Sequence, residues 1–416
     1  MNALCPQSKK YLVALGLCLI AYLGSLYYPL ITQAGISVDD WGDIAHNLSC
    51  VTFVDCYGAW FPLFSNRPLA PLPITTLTFL FKTWYAGYLL TNSVIYLVAI
   101  GITAHVIFRM GLLRSFSGAI VFVLFAAIPM IAMPIITSPI NQSTATVSLL
   151  LWAASLWSLL HFLQTKRTLY YYLSYALLLA AFLTYEVVLP LLVLTAFLPW
   201  IRDAKQYSLA QPKYWFKFIA PILAVLMIAV LWQKGIAPHF MSVDSRLKFI
   251  PSQSIAKLHT FFHVFYRQIP KLFWNMSSYL QWSSVLCAIL GLASFYISTF
   301  LDAKRTSASP ENPENQSINQ RFTFTAFFCF LSSSFIFILS NESATVSGYQ
   351  ARGLSSTWFS FAILLCAMVM HQGTSQKIGK LLIALLLAFC ILSFSVQRDQ
   401  TIRAWQMQLA ILNDAI

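Results

Sequence analysis

"YLVALGLCLIAYLGSLYYPL", residues 11–30, runs for twenty residues without a charge. A helix rises about 1.5 Å per residue, so this stretch matches the ~30 Å hydrocarbon core of a bilayer. Lys9 and Lys10 precede it and no small-residue cleavage site stands out after it, so it reads as a retained span and not a cleaved leader. Comparable apolar stretches recur as far as Val396. The 416-residue chain is 58% hydrophobic and only 9% charged, with mean hydropathy +0.70. These values predict an all-α polytopic membrane protein with residues 1–416 forming one integral domain, and they leave no soluble domain of ordinary size.

Basic residues favour the cytoplasmic ends of spans, and that bias can be followed along the chain. It puts the N-terminus inside, together with Arg109 and Arg114, Lys166 and Arg167, Arg202 through Lys217, Lys304 and Arg305, and Lys377 and Lys380. The spans expected are 11–30, 86–108, 116–136, 145–164, 169–185, 187–201, 215–233, 277–300, 322–340, 354–371 and 379–396, about eleven in all. "LAPLPITTLTFLF" (69–81) is too short to span and carries Pro71 and Pro73, so a helix at or dipping into the outer face is expected. The polar stretch 304–319 reads as a flexible inner connector.

Two long segments fall outside: a first loop over 31–85 and a second over 235–275. The second carries Lys234, Arg246, Lys248, Lys257, Arg267 and Lys271 on the side where basic residues are usually sparse. Its "SIAKLHTFFHVFYRQIPKLFW" spaces cations among aromatics, as a helix in the headgroup layer does, serving either lipid anchoring or capture of a phosphate-bearing substrate. Outer-face juxtamembrane helices are therefore expected in both loops. Of the net charge of +13, positive-inside bias explains many residues and an anionic partner, lipid or substrate, explains those of the second loop, with no nucleic acid implied. Of eight cysteines, Cys50 and Cys56 share the first loop, where an oxidising compartment would permit a disulfide. The lack of a CxxC pair argues against zinc.

The first loop also holds Asp39, Asp40, Asp43 and Asp55, four of only thirteen acids in the chain. In a helix, Asp39 and Asp43 stand at i and i+4 and Asp40 and Asp43 at i and i+3, close enough to perturb one another. Such a cluster provides a general base or a metal ligand, or it caps a helix N-terminus in favourable alignment with the helix dipole.

An acidic pair just after the first span resembles the GT-C glycosyltransferases, membrane enzymes that take sugars from polyprenyl-phosphate carriers. "VDDWGD" (38–43), followed about twenty-five residues later by "NRPLAPLP" (66–73), is similar to the GtrII-type glucosyltransferases of bacterial O-antigen modification. "SPINQS" (138–143), "TYEVVLPLL" (184–192) and "YQARGLSS" (349–356) fall at outer ends of spans where that family also carries polar residues. The resemblance implies an inner-membrane enzyme with a periplasmic site. It would move a hexose, by family implication glucose, from undecaprenyl phosphate to a lipopolysaccharide or lipid-linked glycan acceptor, with inversion.

That chemistry needs a base for the acceptor hydroxyl and cations for the departing phosphate. Asp39 or Asp40 is the candidate base. Arg67 and Arg352 are candidate phosphate ligands, the former alternatively an ion-pair partner of a loop acid. Glu186, a carboxylate in unbroken apolar sequence, is expected to bind sugar hydroxyls or a basic site residue. Asp43 and Gln142 are further substrate contacts, and Trp41 and Trp60 are ring faces for a sugar. No cofactor is required; Asp40 and Asp43 would hold a divalent metal if one binds. An O-antigen polymerase or ligase, dependent on the second loop's cations, and a lipid-linked saccharide transporter or flippase are the competing classes. The transporter would place charges deep in several spans, and Glu186 is the sole clear instance here.

Overall fold

The computed structural model describes residues 6–35, 38–48, 50–110, 116–131, 138–240, 251–274, 281–306, 313–339, 344, 353–371 and 377–414, and every regular element among them is helical. In chain order these are α1 (Pro6–Gln33), α2 (Val38–Leu48), α3 (Phe53–Trp60), α4 (Pro71–Phe81), α5 (Tyr85–Arg109), α6 (Phe116–Ala126), α7 (Pro139–Thr165) and α8 (Thr168–Thr184). After a 3₁₀ turn over Glu186–Leu191 come α9 (Leu192–Arg202), α10 (Pro212–His239, with two π turns), α11 (251–274), α12 (Trp282–Thr306), α13 (Pro313–Ser332), α14 (Ser334–Leu339), α15 (Ser355–His371) and α16 (Lys377–Asp414).

Seven helical stretches are long and apolar enough to cross a membrane: Lys10–Gln33, Tyr85–Arg109, Ser143–Thr165, Pro212–His239, Trp282–Ala303, Ser317–Ile338 and Ile378–Ile411. Each remaining expected span contains a shorter helix: α6, α8, α9 and α15. The segment 69–81 also contains one, α4, whose 11 residues reach about 16 Å. Pro71 opens it, where a missing N–H costs nothing.

Several expected boundaries differ from the structure; the stretch 304–319, expected as a flexible connector, is helical over 304–306 and from Pro313 onward. Among the described residues 116–131 the helix ends at Ala126, ahead of Pro129, which lacks an N–H and disfavours helical backbone just before it. The last span, expected over 379–396, continues as one helix to Asp414; its 38 residues measure about 57 Å, far more than the hydrocarbon core. The extra turns pack back on the chain. Trp405 lies 5.2 Å from the Tyr85 ring and so close to Gly35 that a Cβ there would sit 1.9 Å from the indole. Only glycine fits at that crossing.

The truncated α6 is enclosed by protein, as irregular backbone at membrane depth must be. Its orphan groups are met at both ends by side chains from other helices. The Asp302 carboxylate of α12 accepts from the N–H groups of Phe116 (3.0 Å) and Ser117 (2.8 Å), with favourable helix-dipole alignment. At the other end four successive carbonyls are each reached by a donor. Tyr22 donates to Leu124 O at 2.9 Å, Trp358 Nε1 to Phe125 O at 2.9 Å, Tyr96 to Ala126 O at 2.8 Å and Tyr27 to Ala127 O at 2.8 Å.

The main core runs through these helices. A second, smaller cluster of Ile44, Trp60, Ile74, Leu77, Tyr88 and Ile140 joins α2, α3 and α4 to the starts of α5 and α7. The second long loop contributes α11, whose Phe261 is buried 5.8 Å from the Phe337 ring, while Ile255 and Tyr266 stay exposed.

The carbonyl caps make a direct prediction. Tyr27→Phe and Tyr96→Phe keep the ring and remove the donor, leaving a buried carbonyl unmet, so each should destabilise the protein by about 1–3 kcal/mol. Equilibrium unfolding in detergent of these variants against the wild type measures it; unchanged stability would show that the caps contribute nothing.

Candidate functional site

Helix α2 carries the acidic cluster. Asp40 is fully buried and accepts a hydrogen bond from Ser138 Oγ at 3.1 Å, just before the first turn of α7. Asp43 lies half-buried one turn further along α2. Asp39 and Trp41 belong to the same helix, but their side chains, like that of Gln142 on α7, lie outside the described residues. Asp55 has a separate structural task. It forms a capping box with Thr52, accepting from Thr52 N at 3.0 Å and Thr52 Oγ1 at 2.7 Å while Thr52 Oγ1 accepts from Asp55 N at 3.2 Å, and this starts α3.

Arg67 and Glu186, 119 residues apart, meet as a bidentate ion pair. Arg67 Nε donates to Glu186 Oε2 at 2.6 Å and Nη2 donates to Oε1. The guanidinium also lies over the Tyr185 ring, 4.3 Å from its centroid. Arg67 is buried and Glu186 is partly exposed, with side-chain exposures of 7% and 21%. Glu186 is thus a partner of Arg67, across 119 residues.

Backbone contacts explain the meeting. Leu69 N donates to Leu183 O at 3.1 Å, which ties the chain after Arg67 to the end of α8. Trp232 Nε1 donates to Ser65 O at 2.7 Å, and Tyr57 Oη to Pro68 O at 2.9 Å, fixing the chain on both sides of the arginine. On the other side α8 stops at Tyr185, whose extended backbone (φ −165°) turns Glu186 into the 3₁₀ segment containing Pro190. Ser148 of α7 caps that end, donating to Ala181 O at 2.9 Å and Tyr185 O at 2.7 Å.

Helix α7 therefore organises both features. Ser138 receives Asp40 at its beginning, and Ser148, ten residues on and about 15 Å along the axis, supports the turn bearing Glu186. The acid and the ion pair are thus attached to one helix, ten residues apart. Ser138 and Tyr185 are polar partners not singled out from sequence; both neighbour a proline or glutamate at a span end, which is the available signal. Arg398, buried within α16, is likewise missed, since the stretch beyond Val396 reads as an outer tail. It donates to Asp399 Oδ1 and to Ser25 O, at 2.8 and 2.7 Å.

Other expected residues fall elsewhere. Trp60, expected to offer a ring face to a sugar, is buried in the small cluster and packs edge-on at 4.8 Å from His46. Arg352 lies outside the described residues. No disulfide joins Cys50 and Cys56 in this structure, and Cys50 Sγ is directed to His46 O at 3.7 Å. Burial, reinforced by a hydrogen bond with the Cys50 side chain, pushes the Cys56 thiol up to about 12. Among the described residues no three His, Cys, Asp or Glu side chains gather in a metal-binding group.

No family model and no curated protein matches this chain. Among solved structures, the crystal structure of ArnT from Cupriavidus metallidurans bound to undecaprenyl phosphate is similar at 14% identity and a TM-score of 0.36, over 93% of this chain and 77% of that one. Overlap of that extent fixes neither the activity of this chain nor its ligands.

The Arg67–Glu186 pair should behave as a coupled unit. Arg67→Ala leaves a largely buried carboxylate uncompensated and is expected to cost about 3 kcal/mol, with Glu186→Ala similar. The double variant should fall short of the sum by about 1–2 kcal/mol in a double-mutant cycle of unfolding free energies; strict additivity would dissolve the pair. Cys56 makes a pH prediction. Burial holds its thiol well above the usual range, so in reduced protein at pH 8 the thiol is almost wholly protonated. Iodoacetamide labelling of Cys56, followed by mass spectrometry, should rise about tenfold per pH unit between 8 and 10; fast labelling at pH 8 would refute the burial argument.

Proposed function

We propose that this chain is a membrane glycosyltransferase of the GT-C type. In this reading it transfers a hexose, glucose by resemblance to the GtrII-type enzymes, from a polyprenyl phosphate to a hydroxyl of a lipopolysaccharide O-antigen or related glycan. The observation that carries the reading is a buried carboxylate, Asp40, held by Ser138 at the end of the bundle where α7 begins, with the turn bearing the Arg67–Glu186 pair supported by the same helix. Ionisable groups are costly in such a bundle, and function is the usual reason for retaining them. The bias of basic residues assigns that end to the periplasmic face of the bacterial inner membrane.

In the proposed step the acceptor hydroxyl oxygen attacks the anomeric carbon from the side opposite the phosphate. The C–O bond to phosphate breaks, its electron pair leaves with polyprenyl phosphate, and the hydroxyl proton passes to a carboxylate oxygen of Asp40 or Asp39. The configuration at the anomeric carbon inverts. Arg352 is assigned to the charge that develops on the leaving phosphate, where a guanidinium fork suits the oxygens. The fork of Arg67 faces Glu186 in the structure, so Arg67 acts as a positioning residue, holding Glu186 ready to accept hydrogen bonds from sugar hydroxyls. Asp43, Trp41 and Gln142 complete the proposed substrate contacts. A divalent ion, where one binds, would be held by Asp40 and Asp43.

Asp39→Asn and Asp40→Asn, assayed separately for sugar transfer from a polyprenyl-phosphate donor in membranes, test this. Loss of a general base should lower kcat by about 10²–10⁴-fold in one of the two with little change in KM. Full activity in both variants would overturn the mechanism. Selective loss on substituting Lys257, Arg267 or Lys271 instead would favour the polymerase or ligase class.

A further inference from the structure

Helix α7 also leads to a second polar feature, at the opposite end of the bundle. Its 27 residues measure about 40 Å, close to the ~40–45 Å of a bilayer with both headgroup layers. Asp40 meets the beginning of α7, so the chain that leaves its other end lies at the headgroup depth of the opposite leaflet. A cleft of about 200 Å³ opens there between the end of α7, the turn over 203–211 and the start of α10, lined by Lys166, Lys213 and Lys217 with Gln206, Gln211 and Tyr207.

The three lysines converge without a carboxylate among them. Lys166 Nζ donates to Tyr207 Oη at 2.6 Å and to Gln206 Oε1 at 3.2 Å, both neutral partners. Lys217 Nζ lies over the Phe162 ring at 4.9 Å, and Lys213 stands one turn before it on the same helix, where like charges repel. The acid of the turn, Asp203, is occupied by the backbone N–H of Gln206 at 2.9 Å and forms no ion pair with these lysines. Lys166 is itself held in the left-handed region (φ 59°), a conformation usually left to glycine at a helix end and sustained only where the surroundings hold it. Basic residues that serve only the sidedness bias extend singly into water. Here the left-handed backbone and Tyr207 hold Lys166, and the Phe162 and Phe218 rings flank Lys217, at one cavity that Lys213 also lines.

We propose that this cleft binds the phosphate of an anionic phospholipid headgroup in the leaflet opposite the acidic site. Basic pockets between membrane helices recognise such headgroups through charge at a surface where each lysine contributes. Gln206 and Gln211 add side-chain amide donors for the non-bridging phosphate oxygens. The proposal is independent of the glycosyltransferase reading.

The test uses the full chain purified in detergent, with phosphatidylglycerol and phosphatidylcholine titrated by native mass spectrometry. The wild type should retain phosphatidylglycerol with a preference of at least about tenfold, and Lys213→Gln or Lys217→Gln should each weaken it about fivefold. Lys166→Gln/Lys213→Gln/Lys217→Gln should abolish the preference, while the corresponding triple arginine variant keeps it. If the triple glutamine variant fails to fold, the single variants carry the test. Equal retention of the two lipids by the wild type, or an unchanged preference in both single variants, overturns the proposal. A parallel arm adds millimolar inorganic phosphate to lipid-free protein. A thermal shift that matches the phosphatidylglycerol effect and disappears in the single variants would assign the cleft to a soluble phosphate compound and overturn the lipid assignment.

Discussion

A helix that stops inside a bilayer leaves its last carbonyls where no water can reach them, and α6 stops after Ala126. The surrounding helices are arranged around that fact. Tyr22 and Tyr27 of α1, Tyr96 of α5 and Trp358 of α15 converge on four successive carbonyls, while Asp302 of α12 meets the N–H groups at the other end. Five donors or acceptors from four helices thus fix the position of one short element. Ser138 stands just before the first turn of α7. That serine is the one that meets Asp40.

The same scarcity of water explains the ion pair. Arg67 and Glu186 each carry a charge that would be expensive alone in this environment, and the bidentate geometry satisfies both. Neither residue belongs to a long span. Arg67 precedes the short α4, and Glu186 follows the break after α8, so both sit where the chain leaves helical geometry and polar groups must be met locally. The Leu69 to Leu183 hydrogen bond and the Ser148 cap make these two irregular segments neighbours. Helix α7 runs from Ser138 beside Asp40 to Lys166 in the lysine cleft, so one 27-residue helix has an acidic feature at its beginning and a basic one at its end.

Much of this was legible in the residues because membrane insertion reads composition directly. Tyr11–Leu30 and its successors are apolar over the length a bilayer demands, so the helical class and most helix positions follow from transfer free energy alone. The brevity of α4 was readable as a local pattern, whereas Asp55, counted among the first-loop acids, proves to start α3 with Thr52. The boundaries that moved did so for reasons outside composition. Residues 397–414 are polar enough to read as a tail, yet they continue α16 because Trp405 finds Gly35 and Tyr85, and Arg398 finds Ser25 O.

The chain by itself determined that this is a polytopic helical membrane protein, which end carries its acids, and that Asp40, Arg67 and Glu186 are charges needing a reason. Only the tertiary structure decided that Arg67 belongs to Glu186, that Ser138 serves Asp40, that Trp60 is core, and that three lysines share a cleft. Burial in a bilayer is a sum over single residues, each weighed by its own transfer free energy, and it can be read along a line. Pairing depends on which irregular segments the helices bring together, and no local sequence pattern encodes a contact across 119 residues.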